Sequence, residues 1–170
     1  MKRHTEVTIR LSRGRIIYNL SNNAYVVGDV LTPGHCQHQV RDVVEGQNLD
    51  HVERVLWRAY CHVRKMFEPY LIDEEPSPVE GDATILPQHL EAGDYVLHLD
   101  IPETIPKATV DYWAILADEY ITSTGMCEWL EIVSPEQAVP WRQKAERACQ
   151  QLRESLLLVC RRVRKRMEKV

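Results

Sequence analysis

Residues 134–169 read SPEQAVPWRQKAERACQQLRESLLLVCRRVRKRMEK, and this stretch decides the fold. Ser134, Pro135 and Gln137 supply an N-cap, a proline suited to a first helical position and a capping-box partner. From there Trp141, Ala145, Ala148, Leu152, Leu156, Val159, Val163 and Met167 recur every three or four residues. That period belongs to an α-helix with one apolar stripe. From Trp141 to Lys169 it spans about 40 Å at 1.5 Å per residue, with Pro140 expected to kink or restart it. The run Leu156-Leu157-Leu158-Val159-Cys160 adds a second apolar face, with Cys149, through Leu157 and Cys160. A helix apolar on two sides is buried on two sides. Either this helix is central to a bundle, or its extra face meets another subunit.

Working outward, two more helices keep the same period. One runs from Asp50, with Glu53 three residues on as a capping box, through Val52, Leu56, Ala59, Val63, Met66 or Phe67, and Tyr70. Another runs from about Lys107 to Ile132 on Val110, Trp113, Leu116 or Ala117, Tyr120, Ile121, Thr124, Met126 or Cys127, and Leu130. Gly125 weakens it by roughly 1 kcal/mol relative to Ala and suggests a bend. Residues 15–31 carry Ile17, Leu20, Ala24, Val27 and Leu31, a helical spacing. A hairpin competes, since Ile16-Ile17-Tyr18 and Tyr25-Val26-Val27 also suit strands and Asn22-Asn23 can turn.

Two segments alternate instead. Val7, Ile9 and Leu11 share one face of a first strand, and Tyr95, Leu97, Leu99 and Ile101 share one face of a second. Each needs a partner for its backbone, so the two are expected to pair. The whole predicts a single α+β domain over 1–170, mainly α. It is a bundle of about four helices carrying a small antiparallel sheet of two or three strands.

Charge is segregated along the chain. Between Lys65 and Lys107 there is no Lys or Arg, while Glu68, Asp73, Glu74, Glu75, Glu80, Asp82, Glu91, Asp94, Asp100 and Glu103 all fall there. Pro76, Pro78, Gly81 and Pro87 make 72–92 an acidic loop, with room for a short strand near 83–86. The basic helix end at 161–170 holds Arg161, Arg162, Arg164, Lys165, Arg166 and Lys169. Asymmetry of this kind speaks to partners more than to fold.

No catalytic, metal or cofactor signature stands out. His35-Cys36-Gln37-His38 carries good zinc ligands but lacks a second paired cluster, and reads as an exposed polar loop. Five cysteines without CxxC spacing, four of them on helices, predict reduced and mostly buried thiols in a reducing compartment. The start MKRHTEVTIRLSRG has no apolar core of a signal peptide, and no apolar run is long enough to span a membrane. Cytoplasm is the expected location.

The order of parts resembles a known kind of protein. A strand and helix over Val7–Leu31, a helix around Leu56-Trp57 and the strand Tyr95-Val96-Leu97-His98-Leu99-Asp100-Ile101-Pro102 come first. The aromatic helix from Tyr112-Trp113 to Trp129-Leu130 and the long Arg-ended helix follow. Together they resemble small helical structural proteins of tailed phages and prophages, of the head-tail connector or tail-adaptor kind. That resemblance implies no catalytic residues and no cofactor. It implies oligomerisation in a virion neck or tail, and so a virion location.

The expected function is therefore non-enzymatic assembly as a homo-oligomer with other assembly proteins. The candidate interface is Leu157, Cys160, Arg161, Arg162, Arg164, Lys165 and Arg166, with Asp73, Glu74, Glu75, Glu80 and Asp82. A nucleic-acid accessory factor using the basic end is the alternative, and an enzyme with an unrecognised site the second.

Overall fold

The two alternating runs do find each other. In the computed structural model, β1 (His4–Leu11) and β2 (Tyr95–Pro102) form a two-stranded antiparallel sheet, with Val7 opposite Leu99, Ile9 opposite Leu97 and Leu11 opposite Tyr95. The structure describes residues 4–30, 37–72 and 93–167, with side chains as far as Val159. Ile9, Leu11, Tyr95, Leu97, Leu99 and Ile101 are buried, while Thr8, Arg10, His98 and Asp100 face solvent. Leu71 adds an isolated bridge to Leu99, and the Ile72 N–H donates to the His98 carbonyl at 3.0 Å.

α1 (Arg13–Val30) is a helix, not a hairpin. Ser12 starts it: its carbonyl accepts the Ile16 N–H at 3.0 Å. The buried stripe is Ile16, Leu20, Ala24 and Gly28; Leu20 and Ala24 fall on the expected face, while Ile17 and Val27 are half-buried beside it. A short α2 (Gln37–Arg41) and a 3-10 turn (Asp42–Val44) follow; of these residues only Gln37 and His38 belonged to the expected polar loop. Val40 and Val43 are buried, and the Trp129 indole N–H donates to the Val40 carbonyl at 3.0 Å. His38 is exposed, and His35 and Cys36 lie outside the described residues.

α3 (Gln47–Met66) begins a turn earlier than the capping box implied. Its N-cap is Gly46 at φ +50, a left-handed conformation that glycine adopts without strain. Asp50 therefore sits in the first turn, and Glu53 forms an ion pair with Arg13, tying α3 to α1. A 3-10 turn (Glu68–Tyr70) ends the segment.

α4 (Lys107–Val133) is the central helix. It buries residues on all sides, among them Val110, Trp113, Leu116, Ala117, Ile121, Met126, Trp129 and Leu130, and packs on α1, α3, α5 and the sheet. It runs unbroken through Gly125. A Cβ there would lie 2.9 Å from Leu56 Cδ2 and 3.1 Å from Leu20 Cδ2, so glycine admits two neighbouring helices rather than bending its own. α5 (Pro135–Met167) is likewise one helix through Pro140. Among the described residues five α-helices stand where about four were expected.

Candidate functional site

The register of the α4–α5 hairpin fixes what stands at each end of the molecule. The Trp113 indole N–H donates to Ser155 Oγ at 2.8 Å, and Lys144 Nζ lies 3.5 Å from Glu119 Oε1. Counting on from Trp113–Ser155, the start of α4 at Lys107 falls level with about residue 161 of α5. The backbone of α5 continues as helix to Met167, past the level where α4 begins. α3 ends at the same pole, since Phe67 and Tyr70 pack on Trp113 with ring centroids 5.7 and 6.0 Å away. The chain leaves that pole at Ile72, the last described residue before the acidic segment.

Of the residues singled out from sequence, Leu157 is described, and its side chain is 57% exposed. This excludes a central place for α5 within one chain, one of the two readings of its second face. Cys160, Arg161, Arg162, Arg164, Lys165 and Arg166 lie on helical backbone, with side chains outside the described set. Asp73, Glu74, Glu75, Glu80 and Asp82 lie outside the described residues, as does the strand expected near 83–86.

Sequence reading missed three further exposed apolar side chains near this pole. Leu158 is 52% exposed, and Tyr112 and Ile115 on α4 are 43% and 61% exposed. Helical spacing puts Tyr112 and Ile115 in one column with Glu119, and Leu158 four turns along the column of Lys144. The Glu119–Lys144 ion pair joins those columns, so the three apolar side chains share one side of the pole. Tyr112 and Ile115 fall off the α4 stripe, but that helix is apolar nearly all round, so nothing local marks them as exposed.

A second feature is a groove of about 630 Å³ between α3, α4 and α5. His62, Tyr120, Cys127, Glu131, Arg142, Cys149 and Arg153 all line it. At one end Glu131 pairs with Arg142, which holds its carboxyl below the usual range, and Cys127 Sγ lies 3.4 Å from Glu131 Oε1. Burial and that carboxylate push the Cys127 thiol up, which makes it a poor nucleophile. At the other end Arg153 Nη2 donates to His62 Nε2 at 3.1 Å, and Cys149 Sγ lies 3.8 Å from the same nitrogen. Burial, then the Arg153 guanidinium, lower the His62 pKa.

That shift has a sign. An unfolded histidine titrates near 6.5, whereas the folded chain takes up this proton only at lower pH. Stability is thus unaffected by His62 above about pH 6.5 and is lost as pH falls through the folded value. Denaturant melts at neutral and mildly acidic pH should show wild type losing more stability than His62→Gln. The difference should stay below about 1 kcal/mol, because the side chain is exposed and screened. Equal acid sensitivity in both proteins contradicts the assignment.

Cys127 is buried, Cys149 half-buried and Cys61 exposed, and all three are free thiols. Mostly buried thiols were expected; Cys61 departs because it falls on the outer face of α3, opposite the Val52–Val63 stripe. Among the described residues no helix is long and apolar enough to cross a membrane. Compared with protein-family models, curated proteins and solved structures, the chain matches none.

Proposed function

We propose that this chain is a non-enzymatic assembly component that works as a homo-oligomer joined through the α5 pole. The observation that carries the reading is the side of that pole formed by Tyr112, Ile115 and Leu158, with Leu157 adjoining. Large apolar side chains that stay wet forgo about 1.5–3 kcal/mol each, and a second copy would cover them. The overhang of α5 points the same way, since a helix end without neighbours has little stability of its own in water.

Charge selects a second copy as the occupant. The sequence that follows Ile72 is acidic and that of the overhanging helix end is basic. Complementary charge of this kind would steer the pairing of two copies. A role in a phage-type neck or tail rests on the order of elements, and requires the pairs to build further into a ring visible by electron microscopy. Free thiols at Cys61, Cys127 and Cys149 suit a reducing compartment such as the cytoplasm.

Leu158→Asp and Ile115→Asp test the reading. Both positions are exposed, so the monomer should keep its stability to within about 0.5 kcal/mol. Self-association should weaken about tenfold or more for each. Unchanged association in both variants contradicts this interface. Salt-sensitive binding of DNA by a monomeric protein would support the basic end as a nucleic-acid contact instead.

A further inference from the structure

We propose that His62, Met66 and Cys149 form a three-coordinate site for copper(I), at the α3–α5 side of the groove. His62 and Met66 stand four residues apart on one face of α3, and Cys149 meets both from α5. Cys149 Sγ is 3.8 Å from His62 Nε2 and 4.0 Å from Met66 Sδ. A trigonal ion bonded at about 2.0 Å to nitrogen and about 2.3 Å to sulfur separates its ligands by about 3.7 Å (N to S) and about 4.0 Å (S to S). Cys149 already stands at those separations from both of its partners.

The donor set chooses the metal. Thiolate, thioether and imidazole are soft or borderline ligands, the combination that selects copper(I). Zinc calls for a fourth ligand and does not take thioether sulfur. Among the described residues, no three of His, Cys, Asp and Glu gather into a metal site, so a harder cation has no competing cluster there. Cys127, at the other end of the groove, is engaged with Glu131 and stays outside the set.

Binding costs one proton and one hydrogen bond. The Cys149 thiol releases its proton as sulfur bonds copper, giving a thiolate–copper(I) unit with no net charge. The Nε2 lone pair, which accepts from Arg153, turns to the metal, leaving the ring proton on Nδ1. Arg153 is exposed and is free to swing into water. It therefore acts as a competitor for the site, and its removal should strengthen binding.

The test is an anaerobic titration of the reduced, full-length protein with copper(I) against a coloured copper(I) chelator. Wild type should retain one equivalent, and Cys149→Ser should lose it. His62→Gln and Met66→Leu should each weaken retention about tenfold or more, while Arg153→Gln should tighten it. X-ray absorption should show one nitrogen and two sulfur neighbours in wild type, and one sulfur fewer in Met66→Leu. Circular dichroism of each variant confirms that it folds. Wild-type retention by His62→Gln and Met66→Leu, or an all-sulfur shell, would mean capture by the other cysteines and overturn the site. Failure of wild type to hold copper against the chelator overturns it too.

Discussion

Replacing Trp113 with Ala should lower the unfolding free energy by about 3–5 kcal/mol, the largest single effect expected in this chain. Trp113 is fully buried at the point where three segments converge. Its ring packs edge-on against Phe67 and tilted against Tyr70, which ends the α3 segment, and its indole N–H donates to Ser155 of α5. Alanine leaves a large cavity there and removes the partner of a hydroxyl. For a domain of this size the loss corresponds to roughly 6–20 °C in melting temperature. Ser155→Ala keeps the ring and strands only the N–H, so it should cost about 1–3 kcal/mol. Because association raises apparent stability, both melts belong at one fixed low protein concentration. A loss below about 1 kcal/mol in Trp113→Ala would contradict the placement of this ring at the junction.

Gly125→Val should be the second most damaging change, with a loss of about 2–3 kcal/mol. Glycine inside a helix forgoes about 1 kcal/mol relative to alanine, so on propensity alone alanine or valine would help. Packing reverses that. The added Cβ would meet Leu56 at 2.9 Å and Leu20 at 3.1 Å, and both leucines are fully buried. Alanine sets its propensity gain against this crowding and should come within about 1 kcal/mol of wild type. Valine adds two branch carbons to the same crowded point. Denaturant melts that rank valine well below alanine would bear this out. A valine variant as stable as wild type would show that α1 and α3 do not approach α4 there.

The long stripes were legible because burial on one side of a helix imposes a period. Val52, Leu56, Ala59, Val63, Phe67 and Tyr70 are all buried as their spacing predicts, as are Ala145, Ala148, Leu152 and Leu156. Alternation gave the two strands and their pairing for the same reason. What failed was set by contacts distant in sequence. Glu53 looked like a local cap, yet its partner is Arg13, forty residues away. α2 has too few residues to display a period, and Val40 is held by Trp129 from across the bundle. Of the two readings of the run Leu156–Cys160, the central helix fails: α4 takes that place, where small residues such as Ala117, Ser123 and Gly125 let neighbours close in.

The interface candidate was half legible. Leu157 could be picked out as an apolar residue off the main stripe of α5. Tyr112 and Ile115 could not, because α4 is apolar nearly all round and nothing local marks which residues stay wet. The groove cluster was hidden for another reason: Cys149 lies eighty-odd residues from His62 and Met66, and only the packing of α5 on α3 brings them together.

Assembly through the α5 pole is the central claim, and sedimentation velocity of the intact protein tests it most directly. Runs over a wide concentration range, at about 0.05 M and about 0.5 M salt, separate apolar from charge contributions. The expected result is a mass that is a multiple of 19.8 kDa at low salt, reduced toward the monomer by Leu158→Asp and by high salt. A single 19.8 kDa species at every concentration and at both salt levels would contradict it.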